Sequence, residues 1–73
     1  MKLTLETEQE DDGRWIAEVQ EIPGAMVYAA SRDEALRNVQ ALALRVLSER
    51  MEPGEAGPSG LIQLTFVRPS ATG

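Results

Sequence analysis

The stretch Ser31-Arg32-Asp33-Glu34-Ala35-Leu36-Arg37-Asn38-Val39-Gln40-Ala41-Leu42-Ala43-Leu44-Arg45-Val46-Leu47-Ser48-Glu49-Arg50-Met51 decides the fold, because no other segment repeats apolar residues at helical spacing for long enough to build a core. At about 100° per residue, Ala35, Leu36, Val39, Leu42, Ala43, Val46 and Leu47 fall on one broad stripe. Arg37, Asn38, Arg45 and Ser48 lie off it. The pattern predicts an amphipathic helix. Ser31 is placed to accept a hydrogen bond from the backbone N–H three residues on, and Glu34 to reach back to the Ser31 N–H, the reciprocal arrangement of a capping box. Asp33 and Glu34 put negative charge at the positive end of the helix dipole, and Arg50 puts positive charge at the other end. Pro53-Gly54 stops the helix. So broad a stripe needs a sheet to cover, and the flanking segments supply one.

Upstream, residues 2–8 alternate, with Leu3, Leu5 and Thr7 on one side and Thr4, Glu6 and Glu8 on the other, the period of a half-buried strand. Residues 9–13 are polar and end in Asp12-Gly13, a hairpin signal because glycine takes positive φ at little steric cost. Residues 14–20 alternate again: Trp15, Ala17 and Val19 face the core, opposed by Arg14, Ile16, Glu18 and Gln20. Pro23-Gly24 predicts a second turn before a third strand at 25–30, whose two faces differ little in polarity. After the helix, 52–60 reads as a loop and 61–67 as a last strand, with Ile62, Leu64 and Phe66 inward. The tail from Pro69 is expected to fray.

The order is therefore β-β-β-α-β: a two-layer α+β sandwich with one helix on a four-stranded sheet. Leu3, Leu5, Trp15, Ala17, Val19, Val27, Ile62, Leu64 and Phe66 are expected beneath the helix. A meander of the first three strands, with the last parallel beside the first, gives the strand order 3-2-1-4.

The 73 residues fit a single domain, and a core this small supplies at most about 3–5 kcal/mol without help. The chain has neither cysteine nor histidine, so a disulfide is excluded and a structural zinc site is disfavoured. Oligomerisation is the remaining common aid. A formal charge of −5 argues against direct contact with a nucleic-acid backbone and suits a basic partner. No apolar run approaches the roughly 20 residues of a membrane span, and no targeting segment is evident, so a soluble cytoplasmic protein is expected.

Three blocks carry a family resemblance: Asp12-Gly13-Arg14-Trp15-Ile16-Ala17-Glu18-Val19, then Glu21-Ile22-Pro23-Gly24, then Ser31-Arg32-Asp33-Glu34-Ala35-Leu36. In order and spacing they resemble the HicB-like antitoxins, in the short form without a C-terminal DNA-binding domain. The resemblance implies a partial RNase H-like fold that lacks catalytic carboxylates. It also implies a function: binding and blocking a small basic HicA-type RNase toxin. Gln20 and Ala25 depart from the proline and cysteine frequent in that family, and Ala29-Ala30 from its Gly-Asp.

The acidic residues Glu6, Glu8, Glu10, Asp11 and Asp12 invite a Mg²⁺ site of RNase H type, yet a solvated strand face and a hairpin explain them more simply. With Glu18 and Glu21 they are better read as a surface that steers a basic toxin to dock. Catalysis lacks its usual groups, since Ser31 is explained as a cap and no serine has a neighbouring base. No cofactor is expected. Trp15 belongs with the core by its alternation. Met26, Tyr28, Leu44 and Met51 lie where apolar side chains meet water, which predicts self-association into a homodimer or higher homo-oligomer. A stand-alone oligomeric scaffold or ligand-binding module is thus an alternative to the antitoxin, and a vestigial metal-dependent nuclease a further one.

Overall fold

A computed structural model of the chain describes residues 1–51 and 61–69. Its elements are β1 (Lys2–Gln9), β2 (Trp15–Val19), β3 (Met26–Ala29), α1 (Arg32–Met51) and β4 (Thr65–Val67), in the order read from the sequence. The sheet runs β3-β2-β1-β4. β2 is antiparallel to both β1 and β3, while β4 lies parallel to β1. The architecture is the expected α+β sandwich. The loop expected at 52–60 and the tail at 70–73 lie outside the described residues.

Each connection follows from local chemistry. Between β1 and β2 the Glu10 N–H donates to the Arg14 carbonyl at 2.7 Å and the Gly13 N–H to the Glu10 carbonyl at 2.9 Å. Gly13 sits at φ +93°, closing a type I turn with a glycine bulge. Between β2 and β3 the Ala25 N–H donates to the Ile22 carbonyl at 3.0 Å. Pro23 and Gly24, the latter at φ +88°, occupy the two central positions, as a type II turn requires. This loop folds inward and buries Ile22 and Ala25. Strand alternation puts Ala25 on the side of Val27 and Ala29, where the Val19–Ala25 hydrogen bond continues the ladder, but it cannot find Ile22, which belongs to the turn.

At the start of α1 the Ser31 hydroxyl accepts from the Glu34 N–H at 3.1 Å, as expected of the cap. The return contact differs: the Glu34 carboxylate accepts from the Ala30 N–H, at 3.3 Å, instead of from Ser31. Val19 N–H donates to the Ala25 carbonyl, so the peptide groups of Val27 and Ala29 turn toward β2 and that of Ala30 turns away. Glu34 satisfies the donor that the sheet leaves over.

The core is built from small side chains. Ala17, Ala35, Val39 and Ala43 are all 0% exposed, so the helix lies close over β2 and β3. Leu36, Leu42, Val46 and Leu47 flank that line half-buried, while Leu3, Leu5 and Val19 close it from the sheet side. Trp15, Val27, Leu64 and Phe66, expected beneath the helix, pack against this core and are partly buried. Ile62 does not. It is 40% exposed, and the last strand spans Thr65–Val67 instead of 61–67. The register sets Lys2 opposite Thr65, so 61–63 lie beyond the first residue of β1 and have no strand to pair with.

Candidate functional site

One face of the sheet carries the helix, and the other is open. The register sorts the residues of the open face into rows across the strands. Glu8, Ile16 and Tyr28 form one row, and Glu6, Glu18 and Met26 the next. Glu6 and Glu18 are directly opposed, a like-charge pair that weakens the ladder. The sequence thus places three carboxylates beside an apolar strip of Ile16, Met26 and Tyr28, with Met26 and Tyr28 each 46% exposed. Among the described residues no cation lies within ion-pair distance of Glu6, Glu8 or Glu18. Arg14 is turned elsewhere, its guanidinium carbon 4.7 Å from the centre of the Tyr28 ring, a cation–π contact at the edge of the strip.

The remaining acidic residues do other things. Asp12 accepts from the Arg14 N–H at 3.0 Å and from its Nε at 2.8 Å, fixing the hairpin. The Arg14 backbone N–H is the main reason its carboxyl is held below the usual range. Glu21 reaches back to β1, accepting from the Thr4 N–H and from the Thr4 hydroxyl, both at 2.7 Å. Those donors, the N–H foremost, lower its pKa as well. Glu21 is therefore a structural brace at the end of β2. Glu10 and Asp11 lie in the hairpin turn, at the end of the sheet away from Glu21. The seven acidic residues that the sequence groups together are thus divided by the fold into an open-face triad, a hairpin cluster and a brace. Among the described residues no group of three carboxylates is close enough to hold a metal ion.

The four apolar residues expected to self-associate also separate. Met26 and Tyr28 belong to the open sheet face, whereas Leu44 and Met51 lie in the helix layer. There they line a shallow apolar groove with Leu47, Ile62 and Leu64. The two patches belong to different layers, and one flat interface does not cover both. Ile62 joins the second patch because it lies outside the sheet, something the alternation in the sequence argued against. No helix among the described residues is long and apolar enough to cross a membrane.

Compared with known proteins, the chain significantly matches no family model, no curated protein and no solved structure.

Proposed function

We propose that the protein is a cytoplasmic, non-enzymatic interaction module of the HicB-like antitoxin kind, which binds a small basic RNase of HicA type and occludes its active surface. The observation that supports this reading most is the open sheet face, where Glu6, Glu8 and Glu18 stand beside Ile16, Met26 and Tyr28 with no ion-pair partner among the described residues. A protein that holds RNA does so with lysine and arginine, and those same groups fit this face. Occlusion follows because the surface that grips the phosphates is the surface that meets the carboxylates. The sequence blocks around Gly13, Pro23-Gly24 and Ser31 support the same family.

A direct test is to look for a small basic reading frame adjoining the gene and to co-express its product with this chain, followed by co-purification and an RNA-cleavage assay. A stable complex with suppressed cleavage is expected, and cleavage unaffected by excess of this protein rejects the reading. A second reading, a self-associating scaffold without a toxin, is favoured by the apolar groove at Leu44, Met51 and Ile62. Its mark is a homo-oligomer that Leu44→Asp converts to monomer.

A further inference from the structure

Among the described residues, pairing along β1 stops halfway on one side. β4 matches only Lys2, Leu3 and Thr4, while β2 accompanies β1 as far as Gln9 on the other side. The alternation of peptide directions locates what is left over. Gln20 N–H donates to the Thr4 carbonyl, so Thr4, Glu6 and Glu8 turn their main-chain groups to β2, and Leu5, Thr7 and Gln9 turn theirs to the β4 side. The reason β4 ends is chemical. Thr65 N–H donates to the Met1 carbonyl, Val67 stands two residues further along the same ladder, and the next donor in the series falls at Pro69, which has no N–H to offer Leu5. The open edge is bordered by a groove with Glu6 and Glu8 on the sheet side and Thr7, Arg32 and Leu36 on the helix side.

We propose that this edge of β1 accepts an extended segment of a partner protein as a fifth strand, with lysine or arginine at every second position over Glu6 and Glu8. The proposal rests on the basic-partner reading above and names the element of the partner that docks. Main-chain hydrogen bonds to Thr7 supply the attachment, and alternate side chains supply the choice of segment. On the sheet face Glu6 and Glu8 lack cations among the described residues. On the helix side Arg32, whose Nε donates to the Thr7 hydroxyl at 3.4 Å, and Arg68 in the same groove repel basic side chains. The segment must therefore be basic on one side only. A second copy of this chain is disfavoured by its own sequence: its β1 brings glutamates to those positions, and its edge strands β3 and β4 contain no basic residue.

The test uses the full chain and two short synthetic peptides of equal composition and charge, one alternating lysine with threonine and one with the lysines in a block. The alternating peptide is expected to bind about tenfold more tightly in titration calorimetry, because only its register meets Glu6 and Glu8 on one side. Hydrogen exchange at the Thr7 amide is expected to slow when it binds. Thr7→Pro removes that N–H without touching the β2 ladder and is expected to abolish the preference for the alternating peptide; the exchange measurement serves if the variant fails to fold. Equal affinity for the two peptides, absence of binding by either, or unchanged exchange at Thr7 overturns the proposal. None of these outcomes bears on whether a whole basic RNase is inhibited, so the edge and the antitoxin reading fail separately.

Discussion

Glu21 shows how one carboxylate among several of similar appearance becomes part of the framework. It is solvent-exposed, yet it accepts hydrogen bonds from both the main-chain N–H and the hydroxyl of Thr4, where the β1–β2 ladder ends. Its pKa lies below the ordinary value of 4.5, so the stability it adds is fully present above pH 4.5 and is lost as pH falls through the lowered value. Glu21→Gln is accordingly expected to lower the melting temperature at pH 7 and to leave it nearly unchanged below the folded-state pKa. Circular-dichroism melts across the acid range read the difference directly, and equal destabilisation at both ends of that range refutes the assignment. The sequence gives Glu21 the same standing as Glu6 or Glu8. What separates them is a main-chain donor left over by the ladder, which exists only once the strands are paired.

At the level of elements, the helix sets the spacing of the two layers through its smallest residues. Ala43 is fully buried over the sheet, whereas the adjacent Leu44 is 48% exposed. Ala43→Leu is therefore expected to cost about 1–3 kcal/mol by forcing the layers apart, while Leu44→Ala changes stability by less than about 0.5 kcal/mol. Urea titrations of the two variants check both figures. The same contrast explains why this element was legible from residues alone. A periodic stripe with a capping serine survives any detail of packing, and all seven stripe residues are buried or half-buried in the fold. The strand order was legible for a related reason, since two short turns and one helix leave few ways to connect four strands. Ile22 escaped because its burial depends on how a turn tilts, and Ile62 because its alternation with Leu64 and Phe66 says nothing about where β1 begins. Pro69 carried a readable signal for the end of β4, and its effect on the β1 edge became visible only with the parallel register in hand.

For the molecule as a whole, charge is unevenly spent. The net −5 is concentrated in part on an open face whose central strands oppose Glu6 to Glu18. Glu18→Lys converts this pair to an attractive one and is expected to stabilise the protein by about 0.2–1 kcal/mol, with the gain shrinking as salt is added. The same variant is expected to bind a basic partner more weakly. Thermal melts at low and high ionic strength, set beside binding titrations, test the two halves together; a variant both less stable and tighter-binding contradicts the account. The candidate surface was legible only as a list of acidic residues, because which of them share a face is a property of register.

The opposed glutamates also govern encounters between identical molecules. Two copies meeting open face to open face would crowd Glu6, Glu8 and Glu18 of one against those of the other, so such a contact holds only in a register that sets Lys2 or Arg14, which border the same plane, against the carboxylates. Crowding many copies together therefore selects among orientations instead of stacking them at random.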